Sequence, residues 1–261
     1  MSSFETLLGQ VSDSSNLVEV SIDDDFDFTL KDQIFLIESG SVLAYGEKDP
    51  ETGIKATQTF GVRDPIGFAE AIAVRDIRLE FRKLSDLTLR KFDPAELRKQ
   101  VNSANVFSKT IIKYSLSRIF DAKRSANNFS FEDEFVNKQY RFLTRRKVAQ
   151  DEEIFLANSD AQSMFFIEKG LIGIVSRNYR MVADLSDGEC FGEAALLSDR
   201  PRNYTAIARK DSSLLVIERS TVEHEMKDDS PLVRLSVLVL LKRLELMNKF
   251  RMVKQDKLTI I

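Results

Sequence analysis

Phe191-Gly192-Glu193-Ala194-Ala195-Leu196-Leu197-Ser198-Asp199-Arg200-Pro201-Arg202-Asn203-Tyr204-Thr205 joins a turn glycine, a short helix, a carboxylate and an arginine within fifteen residues. Gly192 has no Cβ, so the backbone there can approach a ligand closely and can take a left-handed turn. The amides that open the following helix point unpaired N–H groups at whatever lies before them, and such a start suits an anion. Arg202 can fork two donors onto one phosphate, while Glu193 can accept from a hydroxyl. The set fits a ribose phosphate.

Followed through Ala206, this run resembles the phosphate-binding cassette of cyclic-nucleotide-binding domains, the family shared by cyclic-AMP receptor proteins, protein kinase A regulatory subunits and cyclic-nucleotide-gated channels. The framework around it is similar too: Asp151 to Phe155, Met164-Phe165-Phe166-Ile167-Glu168-Lys169-Gly170, Leu185-Ser186-Asp187-Gly188-Glu189-Cys190, and Leu214-Leu215-Val216-Ile217. The resemblance covers about 135–252. It implies that Glu193 accepts the ribose 2′-hydroxyl and Arg202 pairs with the exocyclic phosphate oxygens. Gly192 and the amides around Ala194 and Ala195 would complete the cradle. Many cyclic-AMP binders carry a small Ala after the arginine; here Asn203 stands there, so the base preference, cyclic AMP ahead of cyclic GMP, rests on the wider resemblance. The expected ligand is a cyclic nucleotide, and no cofactor is expected.

Composition bounds the rest. A chain of 261 residues suits two ordinary domains, and a net charge of −3, with 38 Lys and Arg against 41 Asp and Glu, gives no basic field for nucleic acid. No DNA partner is expected. Cys190 is the only cysteine and has no basic neighbour to activate it. His224 is the only histidine, lying between Glu223 and Glu225. Neither a G-x-S-x-G elbow nor a G-x-x-x-x-G-K-[ST] loop occurs, so a non-enzyme is expected. The start Met1-Ser2-Ser3-Phe4-Glu5 lacks the features of a signal peptide, and Leu232–Met247 is broken by Arg234, Lys242, Arg243 and Glu245. A cytoplasmic chain without a membrane span is the expectation.

The first half weakly repeats the second. Gln33-Ile34-Phe35-Leu36-Ile37-Glu38-Ser39-Gly40 parallels Met164 to Gly170, and Leu87 to Phe92 parallels Leu214 to Ile217. Gly67-Phe68-Ala69-Glu70-Ala71-Ile72-Ala73 parallels Cys190 to Leu196, which places Ala69 where Gly192 stands. The fold class expected is mainly β with α: two tandem antiparallel jelly rolls over 1–124 and 130–261, each followed by helices, with a linker near 121–131. One helical region is predicted from Pro94 to about Phe120. In the first cassette Glu70 and Arg78 stand as a degenerate second site, against the reading that this copy serves only contacts with the other domain or a partner.

Asp229 to about Arg251 is predicted as a helix, apolar nearly all round, and such a helix is normally buried. With no Trp in the chain, Leu238 or Leu241 is expected to cap the base as this helix closes over the second site. Binding would then move the helix and signal to an effector protein or through a homodimer. The alternative is a scaffold that keeps the fold without ligand control.

Overall fold

The computed structural model describes residues 4–30, 33–48, 53, 55–120, 143–198 and 200–258. The linker expected near 121–131 and the domain boundary between 124 and 130 lie outside them. Among the described residues two compact units form. Of these, the first gathers 5–104, 115–120 and 230–258; the second gathers Phe4, 105–114 and 143–229.

In the first unit β1 (Ser15–Val20), β7 (Leu87–Phe92), β2 (Ile34–Ser39) and β5 (Pro65–Ile66) form one antiparallel sheet in that order. A second sheet has the order β4 (Lys55–Phe60), β3 (Val42–Lys48), β6 (Glu80–Lys83). Alternation sends Phe35, Ile37, Val42, Ala44, Phe60 and Leu89 into one core between the sheets. Helices α1 (Phe4–Gln10), α2 (Phe68–Ala73) and α3 (Pro94–Ser103) accompany them.

The second unit repeats the plan. β8 (Thr144–Val148), β15 (Ser212–Glu218), β10 (Ser163–Lys169) and β13 (Cys190–Phe191) form one sheet; β12 (Met181–Ser186), β11 (Leu171–Val175), β14 (Thr205–Ala208) and β9 (Glu153–Phe155) form the other. Its core draws Phe165, Ile167, Ile172, Leu185, Phe191 and Leu214 from both sheets. The irregularity repeats as well: β2 shifts register against β7 between Ile37 and Ser39, and β10 shifts against β15 between Ile167 and Lys169.

The single helix predicted from Pro94 to Phe120 is two. Asp93 caps α3, its carboxylate accepting from the amides of Ala95 (2.7 Å) and Glu96 (3.1 Å), and Pro94 takes the first position. Ala104 then turns to an extended conformation, and Asn105 Oδ1 accepts from the Ser108 amide at 2.8 Å to start α4 (Val106–Phe120). A cap of this kind contributes about 1 kcal/mol. Two caps so close outweigh continuous helical periodicity. The second unit also contains α5 (Glu193–Ser198) and α6 (Arg219–Met226).

The last helix, α7 (Pro231–Leu258), belongs to the first unit, where it packs on β4, β5, α2 and α3, and Leu246 joins that unit's core. Between Leu232 and Leu246 it is buried nearly all round, as its composition predicts: Leu235, Val237, Val239 and Leu240 are fully covered. No helix among the described residues is long and apolar enough to cross a membrane.

Candidate functional site

β13 leads into Gly192, whose φ of 86° is left-handed, and α5 follows. A Cβ on Gly192 would stand 2.7 Å from Nη1 of Arg202, so glycine is required both by the backbone turn and by the guanidinium against it. Arg202 comes from the loop before β14. Its backbone is pinned on both sides: its amide donates to the Ser159 carbonyl at 2.9 Å and its carbonyl accepts from the Asn158 amide at 2.8 Å.

The side chain folds inward and is buried, 3% exposed. Nη1 donates to the Gly192 carbonyl at 2.7 Å, Nη2 to the Ser163 carbonyl at 2.6 Å, and the guanidinium lies 4.1 Å over the Phe155 ring. Nε has no partner, and no carboxylate stands within ion-pair distance among the described residues. Burial pushes the Arg202 guanidinium down to about 10, opposed by the Glu193 carboxylate and assisted by the Arg219 guanidinium. A buried cation whose acceptors are neutral carbonyls is electrostatically under-compensated. An anion that displaced those carbonyls would form shorter, charge-assisted bonds.

Glu193, also buried, opens α5. Ala194 is exposed and Ala195 half-buried, with the Ala195 carbonyl accepting from the Arg200 amide at 3.1 Å. Six residues give α5 a small dipole, so most attraction for an anion falls to Arg202. Asn203 is exposed while Tyr204 packs on the core. On the sheet side the Tyr114 hydroxyl donates to the Cys190 carbonyl at 2.5 Å, fixing the strand that enters the turn.

A family model described as "Cyclic nucleotide-binding domain" matches residues 145–229. Residues 145–229 are a cyclic nucleotide-binding domain. Two curated relatives are similar over part of the chain, both named cAMP-dependent protein kinase regulatory subunit. That of Eremothecium gossypii is 32% identical over 79 residues, covering 30% of this chain and 17% of the relative. That of Blastocladiella emersonii is 26% identical over 140 residues, covering 51% and 34%. The chain therefore spans about a third or less of the curated relatives it matches. Among solved structures, the cAMP-bound form of the EAL enzyme Bd1971 is 28% identical over 44% of this chain and 32% of that one, with a TM-score of 0.38.

Within the cyclic nucleotide-binding domain, the structure brings Gly192, Glu193 and Arg202 to one turn. Leu238 and Leu241 are instead buried in α7, within the first unit. A helix apolar on all sides can be covered by more than one surface, and its sequence does not say which. Phe155, the acceptor Ser163 and the tether Tyr114 carried no assigned role in the sequence; only Phe155 offered a signal, lying in the framework run Asp151 to Phe155.

The first cassette differs from the expected alignment. Lys83 pairs with Val42 as Ala208 pairs with Ile172, and Leu89 pairs with Ile37 as Leu214 pairs with Ile167. The same spacing sets Gly67 on Gly192, and both glycines are left-handed, at φ 80° and 86°. Gly67, not Ala69, is the cassette glycine. Phe68 then stands where the domain has Glu193, and Ile77 where it has Arg202. Nor does the structure join Glu70 to Arg78. Arg78 is exposed and faces Glu47 at 3.6 Å, whereas Glu70 is buried and meets Arg243 at 3.2 Å. Among the described residues no cluster of His, Cys, Asp and Glu could hold a metal ion.

Proposed function

We propose that the second unit is a non-catalytic receptor for a 3′,5′-cyclic ribonucleotide, cyclic AMP in preference to cyclic GMP. The observation that carries this reading is Arg202: a buried guanidinium without an ion pair among the described residues, held at a left-handed glycine with the buried Glu193 carboxylate following in the same turn. The cyclic phosphate would take over its donors, and the Glu193 carboxylate would accept the ribose 2′-hydroxyl. The first change favours the bound state because the present acceptors of Arg202 are neutral carbonyls. The names of the curated relatives support a kinase-type partner as the effector.

The signal would leave through the elements tied to the cassette in its own unit. Tyr114 links α4 to the Cys190 carbonyl. Asp229 accepts from the Asn105 amide at 2.9 Å and from the Ser108 hydroxyl at 2.5 Å, holding the start of that helix. Displacement of Gly192 by ligand would strain the Cys190 carbonyl and bias α4.

Calorimetric titration of the full chain with cyclic AMP and cyclic GMP tests the reading, with Arg202→Ala expected to cost at least about a hundredfold in affinity and Arg200→Ala less than about threefold. Absence of binding would favour the second reading, a ligand-independent scaffold. The sealed guanidinium, already bonded to two carbonyls, is the observation on that side.

A further inference from the structure

The first unit keeps the cassette turn but not its charges, and the vacated chemistry is supplied from elsewhere in the same unit. Arg243 of α7 sets Nη2 3.2 Å from the Glu70 carboxylate, with both side chains buried, and lies 5.4 Å over the Phe60 ring. A guanidinium thus lies over a phenyl ring at each cassette: Arg202 over Phe155, bonded to two carbonyls, in one, and Arg243 over Phe60, bonded to the Glu70 carboxylate, in the other. One residue earlier, Lys242 Nζ lies 3.7 Å from Asp64. Burial raises the Asp64 carboxyl, against the Gly61 amide and the nearby lysines 242 and 249. Two successive cations of α7 therefore meet two buried carboxylates that flank β5.

Among the described residues, little room for a nucleotide remains beside Glu70. The cavity there, lined by Gly67, Glu70, Ala71, Val74 and Arg75, measures about 20 Å³. That holds roughly one water molecule, whereas small-molecule sites run to several hundred Å³. Among the described residues, Glu70 Oε2 and the Nε and Nη1 of Arg243 have no hydrogen-bond partner. A pair this buried and incompletely bonded adds little net stability over apolar groups of the same volume, but removing one partner strands the other. It acts as a register device, fixing where α7 sits.

We propose that the first cassette is a closed docking site for the chain's own helix α7, with the Lys242–Arg243 step as its ligand, and that it takes no cyclic nucleotide. The second unit's ligand plays no part in this. Hydrogen exchange on the full chain reads it directly. Arg243→Met and Glu70→Gln should each speed exchange between Leu235 and Leu246 by at least about tenfold while β2 and β7 stay within about threefold of the parent. The double variant should return α7 to within about threefold, because both charges are gone. Unchanged exchange in both single variants would overturn the proposal, as would equal acceleration of α7, β2 and β7, which would show no separable docking. Should Arg243→Met fail to fold, Lys242→Ala carries the same test through Asp64, with an expected rise of about threefold in α7. Cyclic AMP titration of the parent should count one site per chain or none; two would overturn it.

Discussion

Gly192→Ala attacks the turn on which the second cassette depends, and its cost can be worked from two terms. An alanine at φ 86° pays the left-handed penalty, about 1–2 kcal/mol. Its Cβ would also stand 2.7 Å from Arg202 Nη1 and 3.4 Å from the Phe155 ring. The guanidinium is the far end of a side chain, but it is not free to yield: two carbonyl bonds and the ring hold it. Moving it forfeits a charge-assisted bond, worth about 1.5–3 kcal/mol. The combined loss is about 2.5–5 kcal/mol, confined to the second unit. Because the chain has two units and need not unfold in one step, hydrogen exchange of β10 and β15 is the assay, compared with β2 and β7 of the first unit. The second-unit strands should lose protection by at least about thirtyfold, with the first unit unchanged. Gly67→Ala should reverse the pattern and cost more, since its Cβ would meet the Gln33 backbone carbonyl rather than a side-chain tip. Protection of β10 and β15 within about twofold of the parent in Gly192→Ala would refute the reasoning.

Glu193→Gln should weaken cyclic AMP by about tenfold and leave its 2′-deoxy analogue within about twofold, measured by calorimetry, because only the ribonucleotide offers the hydroxyl to a carboxylate; equal losses would remove that role. Affinity should be flat from pH 7 to 9 and fall as pH rises through about 10, by at most about tenfold per pH unit. The sign follows from the free protein, whose depressed guanidinium loses its proton first while the phosphate holds it in the complex; an affinity that rose as pH passed through this range would contradict the assignment. Arg78→Ala should alter neither stability nor nucleotide binding beyond about 0.5 kcal/mol, since the side chain is exposed and its charge contact with Glu47 is a surface pair. A substantial loss of binding would restore Arg78 to a site.

Local chemistry was enough to bring Gly192, Glu193 and Arg202 to one turn. Glycine, carboxylate and arginine lie within eleven positions of one another, and the turn that joins them is set by the backbone of Gly192 itself. The repeat of strands was legible for the same reason, since alternation and glycine turns act over a few residues. The alignment of the first cassette was not. Matching Glu70 to Glu193 by letter cost two positions, and only the pairing of β6 with β3 and β7 with β2 restores Gly67 to Gly192. Caps at Asp93 and Asn105 could have split the helix read from Pro94 to Phe120, had they been weighed against its apolar periodicity.

What the tertiary structure decided were meetings between distant segments. Arg202 reaches Ser163 and Phe155, Tyr114 reaches Cys190, and Arg243 reaches Glu70. The destination of α7 shows the physical reason most clearly. Its composition required burial, because a helix apolar on every side cannot stay in water. Burial is non-directional, however, and any apolar surface satisfies it. Directional groups choose among such surfaces, and on α7 they include Lys242 and Arg243, whose carboxylate partners lie some 170 residues earlier in the chain.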